Sequence, residues 1–61
     1  MKKVYVFLAD GFEEIEALTP LDMLRRAGVD TLSVSINKTK EVNGTHKIKV
    51  IADILIDEVS Y

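Results

Sequence analysis

Three acidic residues and a glycine stand where a buried strand is predicted to turn into a helix. Gly11, Glu13, Glu14 and Glu16 follow closely after the unbroken apolar run Val4–Leu8. A carboxyl group can give or take a proton during a reaction, and a glycine lets a ligand approach the backbone closely. Ligands of open α/β sheets bind where the strands end. The sequence therefore predicts a functional site at this turn.

Glu16 has two interpretations. In a helix it aligns with Met23 and Ala27, seven and eleven residues later, in an otherwise apolar row. An exposed glutamate near a helix N-terminus is ordinary, because the helix dipole favours negative charge there. If the row is buried instead, the apolar surroundings raise the pKa of the carboxyl group, which then stays protonated and donates a hydrogen bond.

The other residues of the turn have simpler interpretations. Glu13 and Glu14 are adjacent, so their side chains point about 100° apart and do not converge on one atom. We interpret them as a helix cap and a solvated face. Gly11 is either an ordinary strand-to-helix turn or a backbone position that a substrate or an oxyanion approaches. The glycine patterns typical of nucleotide phosphate binding are absent from the sequence.

Composition excludes several kinds of chemistry from these residues. The sequence has no cysteine and one histidine, so it contains no disulfide, no thiolate metal site and no cysteine nucleophile. We expect His46 to be a surface or interface side chain, and we expect no metal and no cofactor. A net charge of −2 does not point to nucleic acid or to a membrane surface as a partner.

Length and the N-terminal residues set the scale of the molecule. A chain of 61 residues forms at most one small domain, and a domain of that size buries only about 60% of the surface of its unfolded chain. The apolar run after Met1-Lys2-Lys3 is too short for a signal peptide and is soon followed by Asp10. We therefore predict a cytoplasmic protein.

The first half of the chain predicts a strand and a helix. The strand is Val4–Leu8, and the helix begins near residues 11–13, with Asp10 as its cap and Glu13 completing a capping box. The helix ends at Arg25–Gly28, where cations precede a glycine suited to a left-handed cap. Pro20 has no N–H to donate to the Glu16 carbonyl, so we expect a bend there.

The second half predicts two further strands. Thr31–Ile36 alternates apolar and polar residues, and a right-handed crossover would place it parallel to the first strand. Residues 37–41 are interpreted as polar and exposed. The dipeptide Asn43-Gly44 is a strong turn signal, and Lys47–Ile51 is predicted as a third strand, near an edge because of its lysines. For residues 52–59 we predict a short turn of helix that begins at Asp53.

The stretch Phe7–Gly28, read as FLADGFEEIEALTPLDMLRRAG, resembles the start of the ThiJ/PfpI family, in the branch of the parkinsonism-associated protein deglycase. Ile48–Asp53 is also similar to the next strand of that branch. The resemblance implies an α/β fold, a flavodoxin-like (Rossmann-like) three-layer sandwich of the class I glutamine amidotransferase-like type. It also implies that residues 1–61 are the N-terminal strand-helix-strand-strand portion of one such domain.

The same resemblance implies a reaction centre of which this chain holds one part. Family members have a cysteine on a strained turn, a nearby histidine and a glutamate from the first helix, which corresponds by position to Glu16. Together with the apolar row, the resemblance therefore predicts that Glu16 is largely buried and points toward the carboxyl ends of the strands. The cysteine and histidine belong to later parts of the family's chain, and His46 does not match that histidine. The complete protein is then expected to be a cysteine-dependent glyoxalase, deglycase or related hydrolase acting on a small carbonyl or peptide substrate, while this segment alone is inactive.

Two other functions remain open from the sequence. The first is a non-enzymatic chaperone or stress-response module whose cysteine records oxidation. The second is a receiver-like domain, which the sequence disfavours because such domains normally carry two adjacent acids after the first strand. Here the strand is followed by one acid, Asp10.

Partner surfaces follow from the helix pattern. Ala17, Leu18, Leu21 and Leu24 form one broad apolar face that is expected to cover the sheet. Ile15, Asp22 and Arg26 share a different face, where an apolar residue lies beside charged ones as in the core and rim of an interface. Because members of the resembled family commonly dimerise through this helix, we predict a homodimer with Ile15 near the axis. We also expect these 61 residues to need the rest of their domain to fold stably.

Overall fold

The computed structural model describes residues 3–59, and the ends of the chain at residues 1–2 and 60–61 lie outside it. The elements follow in the order β1 (Val4–Leu8), α1 (Glu14–Arg26), β2 (Thr31–Ser35), β3 (Glu41–Asn43), β4 (Lys49–Ile51) and β5 (Ile54–Leu55), and a 3-10 helix covers Ile56–Glu58.

A parallel sheet of three strands, in the order β1-β2-β5, forms the centre of the fold. β1 and β2 pair in parallel, from Val4 opposite Thr31 to Leu8 opposite Ser35. This confirms the predicted strand-helix-strand crossover. Val34, fully buried, lies in the middle of the sheet and Leu8 is 1% exposed, so the α/β core is built at the ends of β1 and β2.

The helix lies where the sequence predicts, but a different residue caps it. Glu13 is the N-cap, and its Oε1 accepts hydrogen bonds from the N–H groups of Ile15 at 2.7 Å and Glu16 at 3.3 Å. The prediction that Asp10 caps the helix is wrong. The Asp10 carboxylate instead accepts from the Asn43 N–H at 3.1 Å and so connects the β1–α1 turn to β3.

The C-terminal end of α1 agrees with the prediction. Gly28 adopts a φ of +81°, and its N–H donates to the Arg25 carbonyl at 3.0 Å. A residue with a Cβ is strained in this left-handed conformation, which is why glycine suits the position. The helical face predicted to cover the sheet is half-buried at Ala17, Leu18, Leu21 and Leu24.

The second half of the chain differs from the prediction in three places. β3 was interpreted as part of a polar segment and turn, yet it pairs with β4 in a separate antiparallel sheet, with Val42 opposite Val50. The third predicted strand is therefore the second strand of a hairpin, and it begins at Lys49 instead of Lys47. Residues 54–55, predicted to be helical, form β5 beside β2, and the 3-10 helix begins only at Ile56.

Asp53 explains the last of these differences. The Asp53 carboxylate accepts from the Ser33 N–H at 2.8 Å and from the Ser33 hydroxyl at 2.9 Å, and the Arg25 guanidinium pairs with it at 2.5 Å. The side chain is thus held by β2 and α1, and it cannot cap a helix at the same time. Holding Asp53 in this way places the following residues at the edge of the sheet beside β2.

Candidate functional site

The β3–β4 hairpin folds against the turn that precedes α1. The Gly11 N–H donates to the Asn43 carbonyl at 2.7 Å, and the Thr45 N–H donates to the Phe12 carbonyl at 2.8 Å. Phe12 and Gly44 form a parallel bridge between these segments. As a result, the tip of the hairpin lies over the N-terminal end of the helix.

A buried carboxylate, Glu14, lies at the point of contact. The residue is 4% exposed, and its Oε2 accepts from the backbone N–H groups of His46 at 2.7 Å and Ile48 at 3.4 Å. The His46 ring nitrogen Nδ1 lies 2.7 Å from Glu14 Oε1. The interpretation of Glu14 as a solvated helix residue is therefore wrong.

Gly44 makes room for this carboxylate. A Cβ atom on Gly44 would collide with Cγ, Cδ and Oε2 of Glu14. The dipeptide Asn43-Gly44 was interpreted only as a turn signal, whereas the structure shows a close approach between the hairpin backbone and a helix side chain. Glycine is the residue that allows this approach.

The charges of Glu14 and His46 depend on each other. Burial acts to raise the pKa of Glu14, but the hydrogen bonds from the His46 ring and from backbone N–H groups outweigh it and lower the pKa to about 2. The hydrogen bond to Glu14 and its negative charge raise the pKa of His46 above its usual value. The pair therefore favours a negative Glu14 beside a protonated His46.

Sequence reasoning missed this pair, although the helix pattern carried a signal. Glu14 lies four and seven residues before Leu18 and Leu21, on the face predicted to cover the sheet. A carboxylate in that row must find donors when it is buried, and the hairpin supplies them. Its partner His46 is 32 residues away along the chain, and helical periodicity gives no information about such a contact.

Glu16 lies on another face of α1 and does not contact the Glu14–His46 pair in any hydrogen bond found among residues 3–59. The expectation of a largely buried Glu16 is wrong for this chain, since the residue is exposed. Met23, in the same helical row, is 62% exposed. The row containing Glu16 and Met23 is thus an open, partly apolar face.

Gly11 adopts a φ of +88°, with open space where a Cβ would stand. Its N–H is engaged by Asn43 and is therefore not available to an oxyanion in this arrangement. Close approach of a substrate to this backbone remains a prediction.

The predicted interface residues occupy one face of α1. Ile15 is 73% exposed, and Arg26 Nε pairs with the Asp22 carboxylate of its own helix at 3.0 Å. Beside them is an apolar groove of about 380 Å³ between the helix and the hairpin. It is lined by Glu14, Ile15, Leu18, Thr19, Asp22 and Ile48.

Comparison with known proteins identifies the family. The sequence model of the DJ-1/PfpI family matches residues 2–61. The chain belongs to the DJ-1/PfpI family. This confirms the resemblance drawn from Phe7–Gly28.

Individual relatives agree with the assignment. The chain is 38% identical over 58 residues to Protein DJ-1 homolog A of Arabidopsis thaliana. The aligned residues cover 95% of this chain and 15% of that protein. It is 40% identical over 57 residues to an uncharacterized protein of Staphylococcus aureus, covering 93% of this chain and 33% of that one.

Solved structures show the same fold. A DJ-1 superfamily protein from Salmonella typhimurium, solved as a cysteine-to-alanine mutant, superposes with a TM-score of 0.90 at 43% identity. The match covers 95% of this chain and 31% of the solved chain. The oxidized form of Toxoplasma gondii DJ-1 gives a TM-score of 0.89 at 40% identity, with coverages of 93% and 31%. The DJ-1/PfpI chain described here therefore has the predicted flavodoxin-like α/β fold and spans about a third of the length of these two structures.

Within residues 3–59, no helix is both long and apolar enough to cross a membrane.

Proposed function

We propose that this chain is the N-terminal part of a cysteine-dependent DJ-1/PfpI protein that acts on small carbonyl compounds, as a glyoxalase or deglycase, or on a peptide bond as a related hydrolase. The observation that carries the proposal is the family match over residues 2–61, together with the position of Glu16 on an open face of α1. The nucleophilic cysteine and its histidine come from the remainder of the domain.

The role proposed for Glu16 follows from the surface around it. The exposed row that it shares with Met23 is apolar enough to be covered by another part of the protein. Once covered, the carboxyl group would lose solvent, its pKa would rise, and it would donate a hydrogen bond to a thiolate. Such a donor stabilises the reactive form of a cysteine. Gly11 would allow substrate to approach the backbone at the end of β1.

Turnover of an α-oxoaldehyde such as methylglyoxal by the complete protein tests this proposal. Glu16→Ala is expected to lower kcat/KM by about 100-fold or more, the range found when a positioned hydrogen-bond donor to an anion is removed from an active site. Glu41→Gln is the matched control, because Glu41 is an exposed acid whose partner Lys49 lies 3.7 Å away on the hairpin. Equal activity of Glu16→Ala and the control would refute the role of Glu16.

A second candidate is a redox-sensing chaperone of the same fold, without turnover. It is favoured by one observation, namely that the Toxoplasma gondii relative was solved in an oxidized form. Single-turnover kinetics with the α-oxoaldehyde distinguish the two functions. A covalent intermediate that forms and decays supports the enzyme, whereas a protein that gains holdase activity on oxidation and turns nothing over supports the chaperone.

The partner surface and the location belong to the same proposal. We propose that the complete protein is a homodimer in which Ile15 lies near the twofold axis, with Asp22 and Arg26 at the charged rim. Exposure of Ile15 beside an apolar groove supports it. Neither a nucleic acid nor a membrane is proposed as a partner, and a cytoplasmic location stays a prediction from the sequence.

A further inference from the structure

The cluster at the hairpin tip has the composition of a metal site. Glu13, Glu14 and His46 each offer one donor atom, and these atoms all lie within 4.8 Å of one another. His46 Nδ1 is 2.7 Å from Glu14 Oε1 and 3.8 Å from Glu13 Oε2. The cluster does not include Glu16, the proposed hydrogen-bond donor to the cysteine.

The two carboxylates are already oriented. Glu13 uses Oε1 to cap the helix and leaves Oε2 toward His46. Glu14 uses Oε2 to accept from the His46 and Ile48 N–H groups and leaves Oε1 toward the same ring nitrogen. Each carboxylate thus has one oxygen held by backbone donors and the other directed at Nδ1. Such outer hydrogen bonds fix ligands in protein metal sites.

The distances suit a small divalent ion with mixed nitrogen and oxygen ligands. Zinc–nitrogen and zinc–oxygen bonds are about 2.0–2.2 Å long, so neighbouring ligand atoms in a tetrahedron lie about 3.3–3.5 Å apart. The 3.8 Å separation is close to this value, whereas the 2.7 Å separation is that of a hydrogen bond, so His46 Nδ1 and Glu14 Oε1 must move apart by about 0.6–0.8 Å to admit the ion. Calcium and magnesium prefer oxygen ligands alone, whereas imidazole suits zinc.

We propose that Glu13, Glu14 and His46 form a zinc-binding site at the junction of α1 and the β3–β4 hairpin. The ion replaces the proton between His46 Nδ1 and Glu14 Oε1, and that proton leaves to solvent. The His46 side chain is 66% exposed, so the fourth ligand position opens to water. With three protein ligands and one open position, the site belongs to the open class of zinc sites.

The proposal is tested by measuring the zinc affinity of the complete protein, whose thiols are alkylated beforehand. Zinc is titrated into a mixture of the protein and a chromophoric chelator that competes for the ion. His46→Gln keeps the backbone N–H that binds Glu14, and Glu13→Gln keeps a carbonyl oxygen for the helix cap, so both variants retain the local fold. Each is expected to weaken zinc binding at least roughly tenfold, as loss of ligand-shell residues does. Glu41→Gln, an exposed acid outside the cluster, should bind zinc as the parent protein does.

The NMR signal of the His46 ring and the zinc affinities of the variants together decide the outcome. Saturation with zinc should remove the proton from His46 Nδ1 in the imidazole nitrogen NMR spectrum, which a purely structural role of the cluster would not do. Zinc affinity that survives either His46→Gln or Glu13→Gln would overturn the proposal, as would a thiol-alkylated parent protein that binds no zinc. Because thiol alkylation removes the cysteine chemistry, this result is independent of the proposed enzymatic function.

Discussion

At the scale of single residues, the contact between Glu14 and His46 shows what sequence reasoning left out. The sequence predicts a functional site at the turn before α1 and favours Glu16 as its acid, because Glu16 shares an apolar helical row with Met23. The structure buries Glu14 instead and leaves Glu16 exposed. Local periodicity placed both residues on a helix, yet it could not show which face the distant hairpin would cover.

The pKa of His46 provides a direct test of this contact. In zinc-free protein the pKa lies above the usual 6.5, because the Glu14 carboxylate accepts a hydrogen bond from the ring and is negatively charged. An NMR titration of the ring protons should give a raised His46 pKa in the parent protein and a lower pKa in Glu14→Gln, in which only the charge of Glu13 still raises it. Equal His46 pKa values in the two proteins would show that the side chains do not interact.

The same pair makes a pH-dependent contribution to folding. Since the pKa of His46 is raised in the folded state, the stabilisation is complete below about pH 6.5, the unfolded value, and is lost as the pH rises through the folded pKa. Glu14 has a folded pKa of about 2, so it stays ionised throughout that window.

Gly44 is the second test at this scale. Gly44→Ala should destabilise the protein by about 1–3 kcal/mol, the usual cost of overpacking, because the new methyl group collides with the Glu14 side chain. Chemical denaturation measures the effect. In a Glu14→Ala background the colliding atoms are gone, so the cost of Gly44→Ala should largely disappear. The same cost in both backgrounds would place its origin elsewhere.

At the scale of elements, β1, α1 and β2 were predictable because their signals are local. An apolar run, a helical stripe ending in Gly28 and an alternating strand each lie within a few consecutive residues. β3 and β5 were missed, since both are short and are defined by their partners rather than by their own patterns. Val42 pairs opposite Val50 in the hairpin, and Ile54 joins the sheet opposite Val34.

Asp53 directly precedes β5 and contacts Arg25 of α1 and Ser33 of β2. Replacing it should therefore lower the stability of the fold. Asp53→Asn should lower the free energy of unfolding by about 1–2 kcal/mol near neutral pH, since hydrogen bonds from Ser33 and the partly exposed pair with Arg25 are weakened. Burial acts to raise the pKa of Asp53, but hydrogen bonds from Ser33 and the Arg25 charge lower it.

The pH dependence of that variant follows from the lowered pKa. The stabilisation by Asp53 is present above its ordinary value of 3.8 and is lost as the pH falls through the lower folded-state value. Denaturation curves of the parent protein and Asp53→Asn should therefore converge at acid pH. A difference that stays constant down to low pH would mean that the charge of Asp53 is unimportant.

At the scale of the whole molecule, the described residues leave much apolar surface open. Large side chains that are at least 39% exposed include Phe7, Ile15, Met23, Ile36, Ile48, Ile51 and Ile56. This surface agrees with the finding that the solved relatives are about three times longer. We predict that these 61 residues alone show no cooperative thermal transition.

Part of this exposed surface, around Ile15, is the proposed dimer interface. In the complete protein, Ile15→Asp should convert dimer to monomer in sedimentation velocity experiments, because it places a charge on each side of the proposed axis. Ile15→Leu keeps the apolar contact and should remain dimeric. An unchanged dimer in Ile15→Asp would place the interface on another face.

The proposed role of Glu16 is to support a reactive cysteine of the complete protein. The most direct measurement is the pH dependence of alkylation of that thiol by iodoacetamide in the parent protein, Glu16→Ala and Glu16→Gln. Glu16→Ala is expected to raise the midpoint by about one pH unit or more, and Glu16→Gln, which still donates a hydrogen bond, is expected to restore it in part. Identical midpoints in the parent protein and Glu16→Ala would show that Glu16 does not stabilise the thiolate.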